Sequence, residues 1–317
     1  MSPRIRDIAT VILCLFLCGC FSSVPEDTPS PADGTFMVGG HTYRFVQGTL
    51  VQDDRDNDSI AVVGVACDLH GNGTTATALA ARFKDAGVDI VLVCGDICDH
   101  YRDPGPDDAE MERVLAPFLA TSMLVLTIPG NHEQIPVYDA VMTRMATANP
   151  NLVNMLTVPV AKLDDISIVA LGGYHDQRFI PASGRLLGDE DYTVAVRRTT
   201  GLPLPRLFLT HGPPRSAREG GVDQVTGGSH VGDPRLNEVF EQGGFNVHVF
   251  GHIHEAGGRA ETPEGDPVPP DTPVARLLLN AAPGSPWTLL DGSHTPGQAM
   301  IVRMGNSTTS YRIISAS

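Results

Sequence analysis

The sequence predicts an α/β fold with two packed sheets, and three observations lead there. Residues 60–129 alternate apolar runs with helix-like stretches, in the order strand, helix, strand, helix, strand. That order implies parallel βαβ units with right-handed crossovers. Later apolar runs lie closer together with fewer helices between them, which predicts a second, mixed or antiparallel sheet packed on the first. The composition is globular, 42% hydrophobic, and 33 Gly with 25 Pro favour many turns over a helical bundle. A length of 317 residues leaves room for a sizeable core in one large domain or two small ones.

The elements follow in order. Residues 1–19 read as an export signal: Arg4 and Arg6 precede an apolar run from Ile8 that is too short to span a bilayer comfortably, and small residues follow. Leu17, Cys18, Gly19 and Cys20 resemble a bacterial lipobox, so Cys20 is the expected lipidation site and mature N-terminus. Cys18 is less usual at its position and leaves ordinary signal-peptidase cleavage open. The expected address is the bacterial cell envelope, with the exported protein held to the membrane by its lipid. Residues 20–35, rich in Pro, Ser and Asp, read as a flexible tether, and 36–317 as the folded domain. Without the signal and Cys20, only Cys67, Cys94 and Cys98 remain, which is neither a disulfide framework nor a zinc spacing. Buried free thiols are expected, although a Cys67–Cys94 bridge between neighbouring strand ends stays open.

Within the domain, "FMVGGHTYRFVQGTLVQ" reads as two short strands around turns. The acidic "DDRDNDS" lacks the Glu that a calcium loop needs at its twelfth position, so it reads as a solvated turn. "IAVVGVAC" is a continuous apolar run, as a strand covered on both faces requires. A helix over 74–83, the strand "VDIVLVC", a helix over 108–119 and the strand "MLVLTIP" follow. The runs "ISIVALGGY", "RLFLTH", "NVHVFGH", "ARLLLN", "AMIVRM" and "TSYRIIS" are assigned to the second sheet. Residues 178–205 read as mostly loop, and 257–273 as a Pro-rich excursion.

A formal charge of −15 argues against nucleic acid and anionic lipid surfaces as partners, because both are met by basic patches. It leaves a phosphorylated small molecule open, since a bound metal can dominate the local field. In open α/β sheets ligands bind beyond the carboxyl ends of strands. There this chain collects its polar residues: Asp68 and His70 in "CDLHGN", Asp96 and Asp99 in "CGDICD", Asn131, His132 and Glu133 in "IPGNHE", His211 in "FLTHGPP", and His252 and His254 in "FGHIH". Alternate side chains of an extended segment share a face, so His252 and His254 can aim at one target. Two adjacent divalent metals need a bridging carboxylate inside a nitrogen and oxygen set free of thiolates. Asp96 can bridge, with two residues of the first strand, the Asn131 amide oxygen and three histidines around it. Such a pair can activate a water and clamp a phosphoryl group.

The blocks D-x-H, G-D-x-x-D, G-N-H-E, T-H-G and G-H-x-H, in this order over roughly residues 60–280, resemble the calcineurin-like metallophosphoesterase family. The resemblance implies a four-layer α/β/β/α sandwich of two mixed sheets flanked by helices. It implies two divalent ions (Mn, Fe, Zn or similar), with Asp68, His70 and His254 on one, Asn131, His211 and His252 on the other, and Asp96 bridging. His132 would face the substrate and give a hydrogen bond or proton to the leaving oxygen, with Asp99 orienting it. "THGPP", "GGSHVGDPRLNEVFEQ" and "HVFGHIHE" resemble the small branch related to class III cyclic nucleotide phosphodiesterases. Cys98 inside the second block and "NAAPGS" in place of a shorter Asn-Pro-Gly turn depart from the family without removing a ligand.

The expected activity is hydrolysis of phosphodiesters, cyclic nucleotides among them, or of small phosphomonoesters, by hydroxide that the metals generate. A non-catalytic binding lipoprotein is the alternative, weakened by a complete ligand set whose carboxylates are costly to bury without metal. A nuclease is a second alternative, weakened by the acidic balance. His230, Arg215 and Arg218 are minor candidates for substrate contact, and His248 reads as packing. With Trp287 the only tryptophan, no aromatic cluster is expected at the site, and hence a broad esterase with little selectivity for one base.

Overall fold

The computed structural model describes residues 34–55, 58–99 and 107–316. The export signal, Cys20 and residues 21–33 of the tether lie outside them. The chain opens with β1 (Thr35–Val38), β2 (His41–Val46), β3 (Thr49–Gln52) and β4 (Ile60–Ala66). Then come α1 (Gly73–Asp85), β5 (Ile90–Val93), α2 (Asp107–Leu119), β6 (Leu124–Thr127), α3 (Ile135–Ala148) and β7 (Leu152–Asn154). The middle holds β8 (Val160–Lys162), β9 (Ser167–Leu171), α4 (Asp189–Arg197), β10 (Arg206–Thr210), α5 (Pro234–Gln242) and β11 (Val247–Phe250). The last strands are β12 (Ala260–Glu261), β13 (Leu277–Asn280), β14 (Pro286–Thr288), β15 (His294–Pro296), β16 (Gln298–Gly305) and β17 (Thr309–Ser315).

The predicted βαβ series is present. β4, β5, β6 and β7 run parallel, with Val63 opposite Ile90 and Ile90 opposite Leu124. Helix α1 starts where the Asn72 side chain accepts the Thr75 amide at 3.0 Å, satisfying one of the free N–H groups of a helix start. It buries Ala76, Leu79, Ala80 and Phe83, the one-sided spacing of a helix on a sheet.

Three apolar clusters define the layers. Val63, Val65, Leu92 and Leu126 of a six-stranded sheet meet Ile168, Leu207, Val249 and Leu279 of a nine-stranded one. The alternate residues Val62, Val91 and Val125 face α1, α2 and α3 through Phe83, Phe118 and Met142. On the far side Val169, Phe208 and Phe250 pack on α4 and α5 through Tyr192, Leu236 and Phe240. Because successive side chains of a strand point to opposite faces, each sheet serves two cores at once. The result is the four-layer α/β/β/α sandwich of two mixed sheets.

Three assignments need correction. "AMIVRM" and "TSYRIIS" (β16 and β17) belong to the first sheet: β16 pairs antiparallel with β4, Met300 opposite Val65, and β17 lies outside it. The parallel series grows away from the other edge of β4, so that edge was free for the returning chain. Residues 36–52 form three strands rather than two, and join the second sheet where β3 runs parallel to β8. Residues 178–205 contain α4, which buries only Tyr192 and Ala195 and so shows little apolar period. Cys67, Cys94 and Cys98 are buried and unbridged. No helix among the described residues is long and apolar enough to cross a membrane.

Candidate metal centre

The carboxyl ends of β4, β5 and β6 in one sheet and of β10 and β11 in the other meet at one end of the sandwich, and backbone bonds knit their loops. Asp68 N–H donates to Gly95 O at 3.1 Å and His70 N–H to Asp96 O at 3.0 Å, joining the first two. Gly251 N–H donates to His211 O at 2.9 Å, and His252 N–H crosses between sheets to Asp68 Oδ2 at 2.9 Å. Four of the six described non-glycine residues with positive φ lie here: Asp68 (56°), His70 (44°), Asp96 (49°) and His252 (68°). Each costs of order 1–3 kcal/mol unless its surroundings over-determine it, and such strain concentrates at functional sites. Two glycines make room for the carboxylates. A Cβ on Gly130 would lie 2.2 Å from Asp96 Oδ1, and one on Gly251 would lie 2.2 Å from Asp68 Oδ2.

Three groups of potential ligand atoms converge, each within 4.8 Å: Asp68, His70 and His254; Asp96, His211 and His252; and His70, Asp96 and His132. His254 Nε2 is 3.4 Å from both Asp68 Oδ1 and His70 Nε2. His211 Nδ1 lies 2.9 Å from the Cys94 carbonyl, which can only accept, so Nδ1 carries hydrogen and Nε2 faces the centre. That Nε2 is 2.7 Å from Asn131 Oδ1 and 3.3 Å from Asp96 Oδ1. The Asn131 amide nitrogen donates to Phe179 O at 3.0 Å, which turns its oxygen inward. Asp96 Oδ1 accepts the Asn131 and His132 amides at 2.9 and 3.0 Å. All seven predicted ligands therefore share one neighbourhood.

The electrostatics suit a cation. Burial alone would raise Asp68 and Asp96, but the neighbouring histidines hold both below the usual carboxylate range. Burial would lower His211, yet the Asp96 and Asp68 carboxylates hold it up at about 10. Burial pushes His70 and His252 down to about 3, leaving neutral rings with lone pairs to give. Burial also keeps Cys67 and Cys98 protonated. Two buried carboxylates, imidazoles of which His70 and His252 are held neutral, an amide oxygen and no thiolate make a donor set that fits divalent ions of intermediate hardness, with His211 giving up its Nε2 proton to bind.

His132 and Asp99 stand beside this set. His132 Nε2 is 3.7 Å from Asp96 Oδ2, and its Nδ1 is 3.7 Å from Asp99 Oδ1, which also lies 4.0 Å from His70 Nδ1. They open onto a cleft of about 360 Å³ with His252, His254, Glu255 and the segment 287–290. His230 does not line it; its Nδ1 pairs with the buried Asp223 at 2.6 Å. Arg215 and Arg218 are also absent from that lining. His248, 2.8 Å from Thr210 Oγ1 and flanked by Phe208 and Phe250, is packing as expected.

Two contributors were given no role by the sequence. Buried Glu133 accepts the backbone amides of Gly130 (2.6 Å), Ile97 (2.7 Å), Asp96 (3.1 Å) and Cys98 (3.2 Å), tying the second and third loops together. Its place at the end of "GNHE" was the available signal. Trp287 lies 4.8 Å from the His70 ring and 4.5 Å from the His254 ring, a single indole at the site rather than an aromatic cluster. Gly284 N–H to Cys67 O and Ser285 N–H to Asp68 O (3.2 Å) hold its segment against the first loop.

The family model of calcineurin-like phosphoesterases matches residues 61–256. No curated protein matches the sequence. One solved structure is similar at a TM-score of 0.59 and 13% identity, over 81% of this chain and all of that one. TT1561 of Thermus thermophilus is similar at 0.53 and 10%, over 81% and 100%. GAP50 of Plasmodium, described as the anchor in the inner membrane complex, is similar at 0.51 and 8%, over 82% and 86%. At these identities the likeness speaks to the fold alone.

Proposed function

The chain belongs to the calcineurin-like phosphoesterase family, and from that premise we propose that it is a dinuclear metallohydrolase of phosphodiesters, with small phosphomonoesters as lesser substrates. The observation that carries the reading is Asp96, whose carboxylate lies within ligand distance of His211 and His252 on one side and of His70 on the other. Asp68, His70 and His254 would hold one ion, Asn131, His211 and His252 the other, and Asp96 would stand between them. When bound, such ions supply Lewis acidity and lower the pKa of water. The chain's own residues do the rest. The Asn131 and His132 amides fix the bridging carboxylate, and Glu133 fixes the loop that carries it. His132 holds a proton toward the cleft for the leaving oxygen, and Asp99 beside Nδ1 sets its orientation.

Phosphodiesters come first because the described lining of the cleft contains no Lys or Arg and does contain Glu255. A dianionic monoester gains less there than a singly charged diester. The test is a panel on metal-reconstituted protein: an aryl diester, an aryl monoester, and 2′,3′- and 3′,5′-cyclic AMP. The aryl diester is expected to exceed the monoester in kcat/KM, and the two cyclic nucleotides to stay within about tenfold of one another. A preference for 3′,5′-cyclic AMP of about a hundredfold, nearly 3 kcal/mol of differential transition-state binding, would overturn the broad-esterase reading.

The proposal includes an address, supported by Arg4, Arg6, the short apolar run and the lipobox-like end at Cys20. Lipid on Cys20 would place the enzyme at the bacterial envelope, among small exported esters rather than the cytoplasmic nucleotide pool. Cys20→Ser is then expected to release the protein from membranes or leave its signal uncut, since lipid chains bind by buried methylene count. Extraction of the wild type by high salt alone, with no lipid mass on its N-terminal peptide, refutes the anchor.

A further inference from the structure

One wall of the cleft is the hairpin of β14 and β15, and its cleft-lining residues include large apolar ones. The Trp287 indole lies tilted by 34° over the His70 ring and stands at 88° against the His254 ring. Leu289 and Leu290 line the same cleft. Leu290 is 88% exposed, the highest value among the large hydrophobic side chains described. A single exposed leucine needs no explanation. This one lines the same cleft as an indole ring and a second leucine, together with His70, Asp96 and His132, where the phosphoryl group would sit.

Resting on the phosphodiesterase reading above, we infer that Trp287, Leu289 and Leu290 form an apolar subsite for a flat, uncharged aromatic ester group of the substrate. Two histidine rings clamp the indole, so the platform is ordered before a ligand arrives and little side-chain freedom is lost on stacking. Glu255 and the absence of Lys and Arg among the described lining residues disfavour a second phosphate or a carboxylate at this end. An aryl alcohol and a nucleobase both meet the description. The seat is generic, because none of these three side chains brings the paired donors and acceptors that distinguish one base from another.

Trp287 is the chain's only tryptophan, so its emission reports on this subsite without turnover. Metal-loaded protein is titrated with benzyl(methyl)phosphinate and dimethylphosphinate, which share the single negative charge of a diester and have no P–O–C bond to hydrolyse. The benzyl compound is expected to change the emission saturably and bind about tenfold more tightly than the methyl one. In turnover, benzyl p-nitrophenyl phosphate is expected to exceed methyl p-nitrophenyl phosphate by about tenfold in kcat/KM, carried by KM. That ratio is expected to collapse toward one in Trp287→Ala. Leu290→Ser leaves the rings on His70 and His254 in place and is expected to lower it by about threefold. A matching gain for thymidine 5′-(p-nitrophenyl) phosphate supports the same seat for a nucleobase. Equal binding of the two phosphinates, a ratio untouched by both variants, or a preference for an octyl over a benzyl ester would overturn the inference. Tight benzyl binding without hydrolysis of any ester would leave the subsite standing and remove the phosphodiesterase reading instead.

Discussion

Asp96→Asn is expected to abolish phosphoester hydrolysis while leaving the sandwich folded. The fold should survive because an asparagine oxygen can still accept the Asn131 and His132 amides that Asp96 Oδ1 accepts at 2.9 and 3.0 Å. What cannot survive is the shared negative charge between the two donor groups. An amide offers one neutral oxygen, and its NH₂ would face the other group as a donor. Bound metal should fall from two ions toward one or none per chain, and kcat/KM by at least about a thousandfold, ~4 kcal/mol of transition-state stabilisation. Metal content by elemental analysis, circular dichroism and turnover of an aryl diester together test this. Near-normal turnover with two ions retained sinks the bridging role.

The seven candidate ligands were legible because of where parallel strands end. The sheets converge at their carboxyl ends, so Asp68, Asp96, Asn131, His211 and His252 had to meet once the apolar runs before them became strands. Sheet membership was less legible. Residues Ala299, Met300, Ile301 and Val302 of β16 are buried in succession, so both faces meet a core, and Met300 would meet an inter-sheet core from either sheet. The choice falls to the open edge of β4, a property of the assembled sheet. Helix α4 escaped notice because two buried side chains cannot set a period. The left-handed backbone at Asp68, His70, Asp96 and His252 is imposed by bonds between loops; Asp and His tolerate it better than most residues, but residue type alone does not place it. Trp287 was invisible for a related reason: it reaches His70 across 217 positions, by a hairpin that Gly284 and Ser285 dock on the first loop.

His132→Ala separates proton transfer from metal binding. The backbone amide of residue 132 still donates to Asp96 in the variant, and none of the seven candidate ligands is lost, so both ions are expected to remain. Turnover of an ester with a poor leaving group should fall by about a hundredfold or more, the usual effect of losing a positioned acid. That corresponds to ~2.7 kcal/mol. The size of the loss should depend on the leaving group. An alkoxide needs a proton as its bond to phosphorus breaks, whereas p-nitrophenolate departs without one. A plot of log kcat/KM against leaving-group pKa should therefore be steeper for His132→Ala than for the wild type. Asp99→Asn is expected to show a smaller change of the same kind, because Asp99 acts through the imidazole it faces at 3.7 Å. Parallel lines for wild type and His132→Ala would mean that the histidine stabilises charge on the phosphoryl group equally for every ester. In that case the proton for the leaving oxygen comes from another group or from solvent.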